Sequence, residues 1–535
     1  MKGVLLAAVS AALLSLALRP WPGTGYLAWF ALVPLLIALA DERRVLRAAL
    51  LAGIAWSGLG WATYEAAVVV VPWAYPVLVV GTSALWALAG AGTAVLVRRW
   101  GPVAALALFP MLVVAVEYVA GQRALFGDLA LVARFGYVQY DTVLRSAAAW
   151  SGSSGVAFAV LAANAALALA LRARRPTWPF AVLLAGGAWM VLPMPSLAGS
   201  SDAGPPITVG LVQSAAPKAD MRMALFDDAA VDRVMATFET HTRALAAARV
   251  DLVLWGETVV PNGMRDGRVD GRVAQALAAA PTALVGARER FGGVWYNSVL
   301  LWQDDRFSSA YRKQTLVPFV EGGLTAGEVA PPLALAGRRL ALGICLETLY
   351  GDLARVAVRD GADALVYLSD DTFAGRTVTS DLHMRTTAFR AAETGRPVVF
   401  VNESGPSAVY DESGRAVAHL AAGVSGTLVA DLAAASGVTA FVRWGDWIGR
   451  LAVSTSLAAF AAAAVPRRIA PRATASSGHR YSKHDASAGS PRMGGSIQTP
   501  VRHLSDDGGT STMRERSDLD DRARSPSSGR EDGRS

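Results

Sequence analysis

The stretch Arg339-Leu340-Ala341-Leu342-Gly343-Ile344-Cys345-Leu346-Glu347 runs from an apolar segment straight into the only cysteine of the chain. Arg339 to Ile344 has the length and character of a short buried strand, which delivers the next side chain to its carboxyl end. In open α/β sheets, reacting groups collect at that end. A lone thiol has no intramolecular disulfide partner, so Cys345 is either a small buried hydrophobe or a reactive group.

The segment around it, residues 205 to about 440, has ordinary soluble composition and alternates strand-like and helix-like patterns. Strands are expected at 207–212, 251–255, 282–286, 364–368 and 397–401. A hairpin is expected from Trp295 to Trp302 and Arg306 to Tyr311, turning at Asp304-Asp305. Helical spacing covers 226–249, 348–360 and 376–394. Helices alternating with strands, plus hairpins, predict sheets covered by helices, a layered α/β domain.

The flanks differ. The chain has 535 residues, 53% hydrophobic and only 17% charged, too apolar for a typical soluble enzyme. Stretches of bilayer-crossing length, about 17–25 residues, lie near 4–18, 25–40, 46–71, 75–97, 101–119, 154–172, 178–194 and 446–465. The first follows Lys2 but lacks a small-residue cleavage site, so it reads as a retained helix rather than a signal peptide. The expected organisation is a seven-helix membrane region over 1–200, a catalytic domain over 205–440, an eighth helix over 446–465 and a tail over 469–535. That tail is rich in Ser, Gly, Arg and Asp, and is expected to be disordered and cytoplasmic.

The net charge of +7 does not indicate nucleic acid, because arginines cluster at span ends and in the tail. Arg43, Arg44 and Arg47, then Arg98 and Arg99, then Arg172, Arg174 and Arg175, then Arg467, Arg468 and Arg472 all fall on one side, which the positive-inside rule makes cytoplasmic. The segment holding Cys345 then faces outward. In a compartment that favours disulfides, a single cysteine fits a thiol needed in reduced form.

Further polar residues stand just beyond predicted strands. Glu257 follows 251–255, Lys313 follows 306–311, and Glu321 lies a little further on. A carboxylate can take the proton of a thiol, and an ammonium group can stabilise thiolate and tetrahedral oxyanion. Each residue alone also fits a solvated loop charge.

The order Glu257, Lys313, Cys345 resembles the carbon–nitrogen hydrolase (nitrilase) superfamily. With the surrounding spans it resembles the bacterial apolipoprotein N-acyltransferase family. The resemblance rests on Tyr311-x-Lys313-x-x-Leu316-Val317-Pro318-Phe319-x-Glu321, on Gly343-Ile344-Cys345-x-Glu347 and on the run Gly25 to Leu35. It implies a multi-pass α-helical membrane protein with an inserted extracytoplasmic nitrilase-like αββα sandwich. It further implies Cys345 as nucleophile, Glu257 as general base and Lys313 as the stabilising charge. Glu321 and Glu347 would orient Lys313 or bind the incoming amine. The implied reaction moves an acyl chain from a membrane phospholipid, through a Cys345 thioester, to the N-terminal amine of a diacylglyceryl-cysteine lipoprotein. No cofactor, metal or nucleic acid is implied, and a monomer in the bacterial inner membrane is expected. Leu346, the run Ser369-Asp370-Asp371-Thr372-Phe373 and the stretch after Gln213 depart from the family's usual residues.

No His-Glu-x-x-His pair, Gly-x-Ser-x-Gly elbow, Walker pattern or Rossmann fingerprint occurs, and His241, His383 and His419 read as surface or packing residues. Two other readings stay open: a membrane-tethered amidase or nitrilase, and a catalytically idle scaffold.

Overall fold

Period-2 alternation builds the sandwich. In β1 (Ile207–Gln213) Val209 and Leu211 enter one buried cluster and Val212 another; in β2 (Leu252–Trp255) Leu252 and Leu254 enter the first, Val253 and Trp255 the second. Strands apolar on both faces need cover on both sides. The computed structural model describes residues 1–173, 181, 185 and 206–466, except 20, 22, 127–133, 218, 219, 221, 222, 225, 261, 319, 373, 375, 376, 434 and 436. The expected seventh span (178–194, apart from 181 and 185) and the expected disordered tail lie outside the described residues.

β1 and β2 pair in parallel, as do β2 and β4 (Ala283–Phe291). That sheet continues antiparallel through β5 (Val294–Gln303) and β6 (Arg306–Arg312), with β13 (Gly426–Leu432) antiparallel to β1 on the other side and β3 (Met264–Arg265) beside β4. The second sheet runs β12 (Ala416–Leu420), β11 (Ser407–Tyr410), β10 (Val398–Asn402), β9 (Ala364–Ser369), β8 (Arg338–Ile344), β7 (Leu333–Leu335), with β8, β9 and β10 parallel. Leu211, Leu254 and Leu284 of the first sheet share a core with Leu340, Ile344 and Val366 of the second. Helices Asp228–Ala247 and Gly271–Leu277 cover the first sheet through Val234, Phe238, Leu245 and Val273. Helices Gly351–Arg359 and Val378–Thr394 cover the second through Val358, Ala388 and Ala391. At about 1.5–3 kcal/mol for each large apolar side chain buried, these three interfaces account for the four-layer order.

Local differences from the expected elements have simple causes. β4 reaches Phe291 rather than ending at 286, because it pairs with β5 along its whole length and closes through Gly292 and Gly293, both at positive φ. Asp304 and Asp305 both take left-handed backbone (φ 51 and 56), as a two-residue hairpin turn requires. The helix expected from 348 begins as a 3₁₀ turn at Cys345–Leu349 and becomes α-helical only at Gly351.

Among the described residues, five helical stretches are long and apolar enough to cross a bilayer: Val45–Thr63, Ala74–Trp100, Pro102–Ala120, Val143–Arg172 and Trp447–Ala464. Eight were expected. The first, Lys2–Ala17, has only 16 residues, and the second breaks into a 3₁₀ turn Thr24–Trp29 and a short helix Val33–Leu39. Partners for the freed backbone make that break tenable. Asn164, fully buried, accepts the Leu32 N–H at 2.8 Å and donates to Ala28 O at 2.8 Å, while Gln139 donates to Gly25 O at 2.7 Å. Gly58 lets the first and third helices touch backbone to backbone, since a Cβ there would stand 1.9 Å from Ala11 O.

The helices and the sandwich belong to one compact unit. At one end of the helices Arg98 donates to Arg43 O, Arg99 to Val465 O, and Arg172 pairs with Asp41. At the other end the sandwich is fastened: Thr379 donates to Thr63 O at 2.9 Å, Arg385 to Leu18 O at 2.8 Å, and the Ser153 N–H to Glu393 at 3.0 Å. The 19 residues of Val45–Thr63 separate these ends by about 28 Å at 1.5 Å rise, close to the roughly 30 Å hydrocarbon thickness of a bilayer.

Candidate active site

Strand ends assemble the site. Glu257 follows β2, Lys313 follows β6, Cys345 follows β8, Asp370 and Asp371 follow β9, and Glu403 follows β10. Gly286 of β4 permits the approach, because a Cβ there would stand 2.5 Å from the Glu257 Cα.

Lys313 is 1% exposed, and its Nζ lies 3.3 Å from Glu257 Oε1 and 3.0 Å from Glu321 Oε2. Burial alone would strip its proton, but Glu257, Cys345 and Glu321 overcome that and raise its affinity for the proton, so it stays an ammonium. Glu257 is fixed by three donors: Lys313, Asn297 Nδ2 at 2.7 Å and the Asp370 N–H at 3.0 Å. Glu321 accepts from Lys313, from Asn297 at 2.8 Å and from the Val317 N–H at 2.7 Å.

Cys345 takes φ 50, a left-handed conformation uncommon for a side chain with Cβ, on the tight turn that leaves β8. Its thiol is buried. Burial and then the negative charge of Glu257 push its pKa well up, with Lys313 pulling the other way. The resting group is therefore a protonated thiol, electrostatically coupled to the acid and the ammonium.

Glu347 fastens the turn. Its Oε2 accepts the Ile344 N–H at 2.7 Å and the Tyr311 hydroxyl at 2.8 Å, and its Oε1 accepts the N–H groups of Gln314 at 2.7 Å and Thr315 at 3.1 Å. It ties the end of β6 to the Cys345 turn. Burial raises its pKa against the pull of the Ile344 N–H, Lys313, the Tyr311 hydroxyl and the Gln314 N–H.

Glu257, Lys313, Glu321 and Cys345 thus converge, with Glu347 alongside. Asn297, bridging both carboxylates at Lys313, had no place in the sequence reading. Its signal was an amide side chain set between the aromatic Trp295-Tyr296 and the apolar run Val299–Trp302 of one strand. His383, read as a surface or packing residue, is buried. Its Nδ1 lies 3.0 Å from Asp371, which also accepts from Asn402 at 2.6 Å. Burial would lower the imidazole pKa, yet Asp371 outweighs it and the net shift is upward. Asp370 is pushed up to about 6, chiefly by burial. Among the described residues, no cluster of three or more His, Cys, Asp or Glu could hold a metal ion.

Two family models match the chain in succession. The apolipoprotein N-acyltransferase N-terminal domain matches residues 10–166, and carbon-nitrogen hydrolase matches residues 209–440. Over both stretches the chain is similar to apolipoprotein N-acyltransferases. The apolipoprotein N-acyltransferase of Ralstonia nicotianae is 30% identical over 58% of this chain and 63% of its own length. That of Geobacter metallireducens is 29% identical over 77% of this chain and 85% of its own length. A solved structure of Saccharomyces cerevisiae Nit3, of the nitrilase superfamily, aligns over 44% of this chain and 93% of its own, at 20% identity and a TM-score of 0.36. Glu257, Lys313, Glu321, Cys345 and Glu347 all fall within the carbon-nitrogen hydrolase match.

Proposed function

We propose that this enzyme transfers an acyl chain from a membrane phospholipid to the N-terminal amine of a diacylglyceryl-cysteine lipoprotein, through a thioester on Cys345. The observation that carries the reading is the convergence of Glu257 and Lys313 with the buried Cys345 thiol, beside helices of bilayer length. In the first half-reaction Sγ attacks the ester carbonyl of the phospholipid while Glu257 takes the thiol proton. The Lys313 ammonium stabilises the oxyanion of the tetrahedral intermediate. The lysophospholipid alkoxide leaves with the proton held by Glu257, and a thioester remains. In the second half the lipoprotein amine attacks the thioester, Glu257 takes one amine proton, and the sulfur leaves and is reprotonated. Glu321 and Asn297 hold Lys313 and Glu257 in register, and Glu347 positions the turn that carries the sulfur.

The outward placement of the sandwich belongs to the same reading. Its support is the grouping of Arg43, Arg98, Arg99 and Arg172 at the far end of the helices, about 28 Å away. Purified protein supplied with phospholipid and a synthetic diacylated lipopeptide should yield the triacylated peptide and lysophospholipid in equal amounts by mass spectrometry. Release of free fatty acid without triacylated product would favour the hydrolase and overturn the assignment.

A further inference from the structure

A cavity of about 210 Å³ lies where the sandwich meets the ends of the helices Pro102–Ala120, Ala148–Ala173 and Trp447–Ala464. Its lining includes none of Glu257, Lys313 or Cys345, although Leu349 and Tyr350, at the far end of the cysteine turn, contribute to it. It far exceeds the roughly 30 Å³ share of one water molecule.

Its chemistry is cationic. Arg123, Arg134, Arg355, Arg390 and Arg450 line it, against Asp352, Glu393 and Asp446. Glu117, which accepts the Phe135 N–H nearby, still leaves positive charge in excess. Glycines make room for the guanidiniums. A Cβ on Gly121 would stand 2.7 Å from Arg134 Nη2, and one on Gly351 2.6 Å from Arg390 Nη1. A Cβ on Gly445 would meet Arg355 and Arg450 together, each at 3.4 Å. Two guanidiniums therefore converge on one glycine, and among the described residues backbone carbonyls hold them: Arg355 donates to Phe441 O at 3.2 Å and to Arg443 O at 3.4 Å, and Arg450 donates to Trp444 O. Arg390 is 1% exposed. Its Nη2 reaches Tyr137 and Glu393, but its Nε and Nη1 have no partner among the described residues. Like charges gathered around buried donors without partners are costly unless an anion completes them.

The location selects the anion. The cavity sits at the helix ends nearest the sandwich, and the adjoining elements expose Val119, Leu125, Trp444 and Leu451. Basic pockets between membrane helices suit lipid headgroups, and guanidinium forks suit phosphate oxygens. We propose that this cavity binds the phosphate of a phospholipid headgroup, at a site separate from the nucleophile. The assignment rests on the helices spanning a membrane and not on acyl transfer.

The test is native mass spectrometry of the full-length protein in detergent, titrated with dioleoyl-phosphatidylglycerol, with dioleoylglycerol or with inorganic phosphate. The wild type and Cys345→Ala should both retain the phospholipid, and neither should retain dioleoylglycerol to the same degree. The double variant Arg355→Gln, Arg450→Gln should lower phospholipid retention by about tenfold or more, the scale of losing charge-assisted bonds to phosphate. If that variant loses its melting transition, Arg123→Gln carries the same test, with a smaller loss expected. Equal retention by wild type and folded variants would overturn the proposal. So would loss of the lipid on Cys345→Ala, which would place it at the nucleophile. Binding of inorganic phosphate without retention of phospholipid would make this a free-anion site and reject the lipid assignment.

Discussion

Two carboxylates face one ammonium at Lys313, so the thiol of Cys345 rests in a field more negative than positive, and burial adds to the effect. Replacing Glu257 by Gln keeps the shape, removes the negative charge that, after burial, does most to hold the thiol protonated, and leaves Lys313 to favour thiolate. The thiol of Glu257→Gln should therefore titrate at lower pH than wild type, read by the pH dependence of alkylation, while acyl transfer collapses for want of a base. A variant whose thiol titrates higher would contradict this electrostatic account. Lys313→Ala should slow transfer by about 10²-fold or more, the scale of one lost oxyanion stabiliser; a near-normal rate would remove Lys313 from the chemistry. Asn297→Ala should cost about 10- to 100-fold, because a hydrogen bond to a charged group is worth about 1.5–3 kcal/mol. Steady-state rates with the folded variant decide that case.

At the scale of elements, buried carboxylates hold strand ends together. Glu403 receives the Ser214 hydroxyl and joins the loop after β10 to the end of β1, and burial pushes its pKa up to about 8. A carboxyl raised above its unfolded value of about 4.3 favours the fold when protonated. Its contribution is full below the unfolded value and is lost as pH rises through about 8. Glu403→Gln should flatten the fall in melting temperature between these limits and melt higher than wild type at pH 9; parallel profiles would show that Glu403 does not titrate there. The sequence made the central strands legible because β1, β2, β8, β9 and β10 are short apolar runs that each end in a chemical residue or a turn. It left β3, β7, β11, β12, β13 and the helix Gly271–Leu277 unread; the strands among them, apart from β13, have two to five residues, too few for a period to emerge. Glu257, Lys313, Glu321 and Cys345 were legible from motif spacing. Asn297 and the Asp371–His383 pair were not, because their meaning lies in partners 40 and 12 residues away.

At the scale of the whole molecule, the helix Val378–Thr394 belongs to two cores. Ala388 and Ala391 pack on the second sheet, while Val378, Leu382, Phe389 and Ala392 share a cluster with Leu14, Leu18, Phe135 and Tyr137 of the helical region. The Phe389 ring meets Tyr137 edge to face at 5.1 Å, and Arg390 donates to the Tyr137 hydroxyl at 3.0 Å. Burying Val378, Leu382 and Phe389 contributes about 5–9 kcal/mol at roughly 1.5–3 kcal/mol each, comparable with the entire net stability of a domain, about 5–15 kcal/mol. A sandwich cut away from its helices would expose those side chains together with the guanidiniums of Arg385 and Arg390. Residues 206–440 expressed alone should therefore be insoluble or bind hydrophobic dyes, and their Cys345 should alkylate rapidly at neutral pH as the burial that raises its pKa is lost. A soluble fragment with a cooperative melting transition and a slow-reacting thiol would show that the sandwich holds its catalytic turn without the helices.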